Sequence, residues 1–298
     1  MTHFPDFRRG VAWSLGAALA SGIFVIPWKL ANTAGDTAAA AFALLGFAAL
    51  FNTALSLMQR GGPPRVALAP YEGWIALALA VLSLLGNLAS AAAIATLSAS
   101  LMNVLQRGEV LGVALLAWAV LGERVERRFW LGAGLAGVGM VVLRDPFGEA
   151  VVDARGSLFA LASVICFSAM AVVTRMAIHR VDPVRVNMLR LWMTLPLWVL
   201  LSGGTGGLAS LHAAQLGYAA LAAFAGPFAA RLCLILSARH VDARITTLGA
   251  LSAPAISVPL EIAILGHVPL PRELLGGAIL LLGIAVPLLR LPARRRGA

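Results

Sequence analysis

The chain has 298 residues, of which 60% are hydrophobic and 12% charged, and its formal net charge is +10. A mean hydropathy of +0.89 leaves too little polar surface for a water-soluble globule. The composition therefore excludes a soluble globular protein and predicts an integral membrane protein.

Ten apolar stretches are candidates for helices that cross a bilayer, since about 20 apolar residues span a hydrocarbon core of about 30 Å. The fifth and seventh are the shortest. In chain order the stretches lie near residues 10–31, 38–58, 72–95, 99–121, 129–143, 156–178, 185–202, 215–238, 245–265 and 274–290. The sequence thus predicts an all-α integral membrane fold with ten transmembrane helices.

The sequence also contains an internal repeat. Most of the repeat has a spacing of 144, and its start has a spacing of 146. We therefore predict a first repeat, 1–146, with helices 1 to 5 and a second repeat, 147–298, with helices 6 to 10. Because each copy holds an odd number of helices, the second copy is inverted in the membrane, a pattern characteristic of transporters. Matched pairs include Gly73 with Gly217, Leu121 with Leu265, Gly139 with Gly283, and Lys29 with Arg175.

Arginine residues concentrate in alternate loops. Fifteen lie on the side of the two termini, and only Arg144, Arg155 and Arg272 lie in the opposite loops. This asymmetry predicts cytoplasmic N- and C-termini, with the basic tail on anionic lipid headgroups. The positive charge therefore indicates membrane lipids as partners, and no nucleic acid is expected.

Leu121-Gly122-Glu123-Arg124 closes the fourth predicted helix, and a glycine-rich fifth helix follows. Together with two inverted five-helix copies, this pattern resembles the drug/metabolite transporter superfamily, EamA type, along the whole chain. The chain is most similar to the YddG-type exporters of aromatic amino acids. The second copy departs from the pattern, since His267 follows Leu265-Gly266 and only that copy has prolines, Pro254 and Pro259, in its fourth helix.

The resemblance implies a multi-pass protein of a bacterial inner membrane. It implies a central cavity lined by the first, third, fourth, sixth, eighth and ninth helices, from which a small-molecule substrate is exported by alternating access. The expected substrate is an amino acid, most of all an aromatic one. Export or facilitated passage of other metabolites or drugs, or lipid flipping by the same fold, are alternatives.

Glu109 lies at the middle of the fourth predicted helix, where an ionised group costs at least ~2.5 kcal/mol. Met102, Gln106 and Glu109 share one helical face, which we expect to line the substrate site. The cost of the ionised carboxylate also makes Glu109 the candidate for proton coupling.

Asn103 and Arg107 occupy the neighbouring face of the same helix and are further candidate substrate contacts. Gly108 and Gly112 permit close approach of another backbone and are candidate hinge residues. The alternative is an interhelical ion pair that only holds the bundle together, with Arg107 or Glu109 meeting one of Arg190, Arg231 and Glu261.

Lys29 is the only lysine of the chain and lies near the end of the first predicted helix. A substrate carboxylate favours a cation and an ammonium favours an acid, so Lys29 with Glu109 or Glu261 suits a zwitterion. Snorkelling to the lipid headgroups is the alternative for Lys29 and for Arg175.

Asn87 in the third helix and Arg231 in the eighth stand at equivalent repeat positions, and both are candidate substrate contacts. Asn87 could instead be an interhelical hydrogen-bonding residue. Phe24 and Phe167, each near the middle of a predicted helix, are the candidate aromatic walls of the site.

Pro254 and Pro259 in the ninth helix cannot donate backbone hydrogen bonds, so they predict a kink. Ser252 and Ser257 lie beside them and are candidate polar contacts. The two prolines are candidate hinges, and a static kink that only shapes packing is the alternative.

A polytopic membrane enzyme is the remaining alternative class. The sequence has no H-E-x-x-H, G-x-S-x-G or Walker motif. His179 with Asp182 and His240 with Asp242 offer only two ligands each, too few for a zinc site. We therefore expect no enzyme activity, no cofactor and no bound metal.

Overall fold

A computed structural model of the protein describes residues 7–60, 70–122, 127–144, 153–177, 183–202, 206–238, 240–241, 248–286 and 288, and the regular structure in these ranges is helical. A 3-10 turn, Gly206–Ser210, precedes α9, and a π-helix, Phe224–Ala230, joins α9 to α10. The α-helices are α1 (Phe7–Thr33), α2 (Thr37–Arg60), α3 (Pro70–Thr96), α4 (Ala99–Gln106), α5 (Glu109–Leu121), α6 (Arg127–Arg144), α7 (Ala154–Ala177), α8 (Pro183–Leu201), α9 (Ala213–Ala223), α10 (Arg231–Ala238), α11 (Pro254–Leu265) and α12 (Pro271–Ala285).

Within the described residues, six helical segments are long and apolar enough to cross a membrane, and Val186–Leu201 is a shorter apolar helix. The six are Phe7–Thr33, Thr37–Met58, Tyr71–Thr96, Ala154–Thr174, Ala213–Leu234 and Leu248–Leu265. The predicted all-helical membrane fold is therefore confirmed, and the count of ten spans stays a prediction. Large apolar side chains on the surface, among them Leu200 and Trp74, suit contact with lipid.

Three of the predicted helices contain a break. The fourth divides into α4 and α5 at Arg107 and Gly108, where the backbone bonds shorten to i→i+3 spacing. The eighth widens into the π-helix around Pro227, which lacks an amide hydrogen. The ninth is interrupted by a turn just before Pro254, where Ala253 N donates to Ala250 O at 3.2 Å.

The spacing of 144 reappears in the packing of α6 against α12. A Cβ on Gly139 would lie 2.7 Å from Gly276 O, and a Cβ on Gly283 would lie 2.6 Å from Gly132 O. These two contacts are related by the repeat, since Gly132 and Gly276 are also 144 residues apart. Only glycine permits this approach of the two backbones, because any side chain would meet backbone atoms.

The main apolar core surrounds α1, and tryptophans bridge its helices. Trp28 is 1% exposed, and its Nε1 donates to Ser90 Oγ of α3 at 3.2 Å. Trp198 of α8 donates through Nε1 to Ala38 O of α2 at 2.9 Å. Small alanines fill much of the remaining core, so the helices pack closely around α1.

Candidate functional site

The connection between α3 and α4 is a tight turn at Leu97 and Ser98, which we call the α3–α4 turn. Lys29 of α1 donates through Nζ to the carbonyl oxygens of Ile94 at 2.7 Å, Ala95 at 3.0 Å and Leu97 at 2.8 Å. Carbonyls at a helix C-terminus have no partner inside the helix and carry partial negative charge. The Lys29 ammonium therefore caps α3 and is held there by three hydrogen bonds.

Glu261 of α11 caps the other side of the same turn. Its Oε1 accepts from Ala99 N and its Oε2 accepts from Ser100 N, both at 2.7 Å, and the side chain is 1% exposed. These are free amides at the N-terminus of α4, where a carboxylate is stabilised by the helix dipole. Glu261 also interacts electrostatically with Lys29, so two opposite charges hold the α3–α4 turn.

Asp153, just before α7, contacts the turn from a third side. A hydrogen bond from the Thr96 side chain, with further bonds from the backbone amides of Arg155 and Gly156, lowers the pKa of this exposed carboxyl. The two amides donate to its Oδ1 and Oδ2, each at 3.0 Å. Asp153 thus caps α7 and ties its start to the end of α3.

A second group of charges lies around the break between α4 and α5. Glu109 is partly buried, and its strongest charged neighbour is Arg231 of α10, followed by Arg107. Arg107 donates through Nη2 to Asn103 Oδ1 at 2.8 Å. The two neighbouring faces predicted on the fourth helix therefore have different partners. Arg107 bonds to Asn103 within the helix, and Glu109 interacts with Arg231 across the bundle.

Arg190 of α8 completes this group. Its Nη1 donates to Ser83 Oγ at 3.4 Å and to Met170 Sδ at 2.9 Å, and its Nη2 donates to Asn187 Oδ1 at 2.9 Å. Arg190 is 8% exposed, and it interacts electrostatically with Arg231, which is itself exposed. We call Arg107, Glu109, Arg190 and Arg231 the central charge cluster.

Several polar atoms of the cluster have no hydrogen-bond partner in the part of the chain that the structure describes. They are Arg107 Nε, Arg190 Nε and, beside Arg107, Asn103 Nδ2. Buried polar groups are almost always bonded to protein, water or ligand. These three donors are therefore available to a polar solute or to water.

The other candidate substrate contacts of the fourth, third and sixth predicted helices bond to or pack against residues of the helix bundle. Met102 is buried in the core, and Gln106 donates to Ser163 Oγ of α7 at 2.9 Å. Asn87 donates to Ser83 O of its own helix at 2.7 Å, which places it one turn from the Arg190 contact. Phe167 packs against Gly86, where an added Cβ would lie 3.0 Å from its ring.

Phe24 lies in α1 beside the π-helix. Its ring stacks on Trp28 with the ring centres 6.2 Å apart, and it packs directly on Gly226. This contact brings α1 against the segment that leads into Arg231. Phe24 is thus a neighbour of the element that positions the cluster's exposed arginine.

The candidate hinge residues lie at or near the breaks in the fourth and ninth predicted helices. Gly108 lies in the break before α5, and Gly112 packs directly on Ser168 of α7. Pro254 starts α11 and Pro259 lies inside it. Ser252 donates to Gly249 O at 2.6 Å, and Ser257 donates to Pro254 O at 3.3 Å, so both hydroxyls bond to their own segment.

Two parts of the site escaped the sequence reasoning. Arg190 entered it only as a possible ion-pair partner, although its position in the short seventh helix was a signal of cost in the membrane. The π-helix was not expected, and Pro227 was its available sign. The side chain of Arg175, the repeat mate of Lys29, lies outside the described residues, as do Glu123 and Arg124.

An apolar groove of about 410 Å³ lies elsewhere, between α3 and α8. Its lining includes Trp74, Leu77, Met193 and Leu200. Because these side chains are apolar, the groove lacks the polar groups that orient a solute. It fits the lipid-facing surface better than a substrate site.

The described residues contain no group of three or more His, Cys, Asp or Glu that could hold a metal ion.

Apolar helices around buried charges define a multi-pass membrane protein whose interior contains charged side chains. The chain belongs to the EamA-like transporter family, whose model matches residues 8–144 and 154–289. The family is one of membrane transporters for small solutes and not of enzymes.

One solved structure, described only as a crystal structure of a protein, has a similar fold. Its TM-score is 0.62 at 19% sequence identity, and the match covers 93% of this chain and 94% of that chain. At this identity the likeness shows the fold alone. No curated protein matches the chain.

Proposed function

We propose that this protein exports small organic solutes across a bacterial inner membrane by alternating access, with both termini in the cytoplasm. Aromatic amino acids are the first substrates to test, because the sequence resembles their exporters. The observation that carries the proposal is the pairing of Glu109 with Arg231. These opposite charges come from the two halves of the chain and supply a charged site inside the bundle for a solute that carries a carboxylate.

Alternating access is supported by the arrangement of bonds at the ends of the bundle. Lys29, Glu261 and Asp153 hold the α3–α4 turn, whereas Ser237 of α10 donates to Gly10 O of α1 at 2.9 Å at the opposite end of α1. Each end thus has its own set of contacts that could break while the other set persists. From the arginine distribution we expect the α3–α4 turn to lie on the outer side.

The proposal is tested by flux of radiolabelled phenylalanine, tryptophan and alanine in liposomes that contain the purified protein, with and without a pH gradient. Saturable flux that favours the aromatic substrates, that falls in Lys29→Ala and that no longer responds to a pH gradient in Glu109→Gln, is the expected result. The exposed residue Arg127 provides a control variant, Arg127→Gln, that removes one charge far from the cluster. Flux of none of the three would overturn the substrate class.

A further inference from the structure

The central charge cluster holds more positive than negative charge. Among the described residues, Arg231 and Arg107 interact electrostatically with one carboxylate, Glu109, and Arg190 interacts electrostatically with Arg231. The fully buried carboxylate Glu261 does not serve the cluster, since it already accepts two backbone amides and faces Lys29. In the part of the chain that the structure describes, the cluster thus has three positive charges against one negative charge, and uncompensated charge in a membrane interior is costly.

Neutral groups hold Arg190 in place. Its bonds go to Ser83, Met170 and Asn187, and Asn187 is in turn bonded to Asn52 Oδ1 at 3.3 Å. This network fixes the direction of the guanidinium without neutralising it. The Nε of Arg190 has no partner, although the side chain is more than nine-tenths buried.

Arg231 repels Arg190, and its side chain is exposed. Two guanidinium groups within electrostatic range of each other attract an anion strongly, because each gains a partner and their mutual repulsion is relieved. Glu109 balances only one of the three arginines. A zwitterion adds no net charge to this cluster, whereas an anion does.

We infer that the preferred substrate carries a net negative charge, with its carboxylate or phosphate bound between Arg190 and Arg231. This inference rests on the proposed transport function and narrows its substrate class. It implies that the ammonium of an amino acid contributes little to binding, and that removing it raises affinity.

Three ligands with one ring test the inference: phenylpropionate, phenylalanine and phenylethylamine are an anion, a zwitterion and a cation of nearly equal size. Binding to the purified full chain is measured from the ligand-dependent shift in thermal unfolding. We expect phenylpropionate to bind about tenfold more tightly than phenylalanine, and phenylethylamine to bind weakest. Phenyl phosphate distinguishes a carboxylate site from a phosphate site.

The variants Arg231→Gln and Arg190→Gln should abolish the preference for the anion, and Arg127→Gln should retain it. Because Arg190 is buried, Arg190→Lys serves as its second variant, which keeps the charge and should keep part of the preference. Equal or tighter binding of phenylalanine, or an unchanged ratio in Arg231→Gln, would overturn the inference even when phenylalanine flux is present. Anion preference without flux of any ligand would support the binding specificity and overturn the transport proposal.

Discussion

Lys29 and Glu261 bind opposite sides of one turn. The ammonium of Lys29 takes the last carbonyls of α3, and the carboxylate of Glu261 takes the first amides of α4. Each charge meets the helix end of opposite partial charge, and each also meets the other. The turn between two helices is therefore stabilised by side chains from two further helices, α1 and α11.

Replacing either residue should destabilise this end of the bundle. Lys29→Met leaves three carbonyls and Glu261→Gln leaves at least one amide without a partner, so each should cost about 1–3 kcal/mol of stability. Because both act on the same turn, the double variant should differ from the sum of the single variants by more than about 0.5 kcal/mol. Thermal unfolding in detergent measures all three, and simple additivity would show that the two caps act independently.

Packing of α6 against α12 should tolerate no side chain at Gly139 or Gly283. An added Cβ would meet backbone atoms that cannot move aside, so Gly139→Ala and Gly283→Ala should each destabilise the protein by about 1–3 kcal/mol. Gly137, on the same helix, has nothing within 4 Å of an added Cβ. Gly137→Ala is therefore the matched control and should be neutral or stabilising by about 0.5–1 kcal/mol, because alanine favours helix. Equal losses of stability in Gly137→Ala and Gly139→Ala would argue against the close contact between α6 and α12.

The sequence predicted the helical class and its repeats because these depend on local composition and spacing. The pair Gly139 and Gly283 was visible as a repeat match, and the structure gives the match a physical reason in the contact between backbones. Glu109 and Arg231 were visible as charges in apolar helices. Arg231 was one of three possible partners of Arg107 or Glu109 in the sequence, and which of them lies near Glu109 depends on how α5 and α10 pack.

The roles of Lys29 and Glu261 show the same limit. Both residues are charged and lie in apolar helices, where a charge is costly. The sequence could not show that each bonds to backbone groups at the α3–α4 turn. The π-helix likewise has a neighbour in another helix, since Phe24 of α1 packs on Gly226. The sequence thus indicates which charged residues are costly to place in a membrane, but it does not show most of their partners, because the partners belong to other helices.

Acid should loosen the contact between α7 and the end of α3. The bonds from Thr96 and from two backbone amides hold the pKa of Asp153 below its ordinary value of about 3.9. Because the folded pKa is the lower one, the stabilisation is fully present above the unfolded pKa and is lost as pH falls through the folded pKa. Thermal unfolding of the wild type should therefore lose this contribution only below about pH 4.

The variant Asp153→Asn isolates that contribution. It should melt at a lower temperature than the wild type at neutral pH, because an amide accepts the helix amides less strongly than a carboxylate. The difference between the two proteins should shrink as pH falls through the folded pKa of Asp153. A constant difference across that range would mean that the charge of Asp153 has no part in the stabilisation.

Glu109 should determine whether transport depends on pH. It is the carboxylate of the central charge cluster, and its ionisation decides how much of the charge on Arg231 and Arg107 is balanced. Protonation of Glu109 would leave the arginines more strongly positive and so favour the anion-binding form of the site. Glu109→Gln fixes the neutral form, and its flux should no longer respond to a pH gradient while substrate binding persists. Flux in liposomes at a series of pH values, with the wild type alongside, measures this, and a pH response retained in Glu109→Gln would exclude Glu109 as the coupling residue.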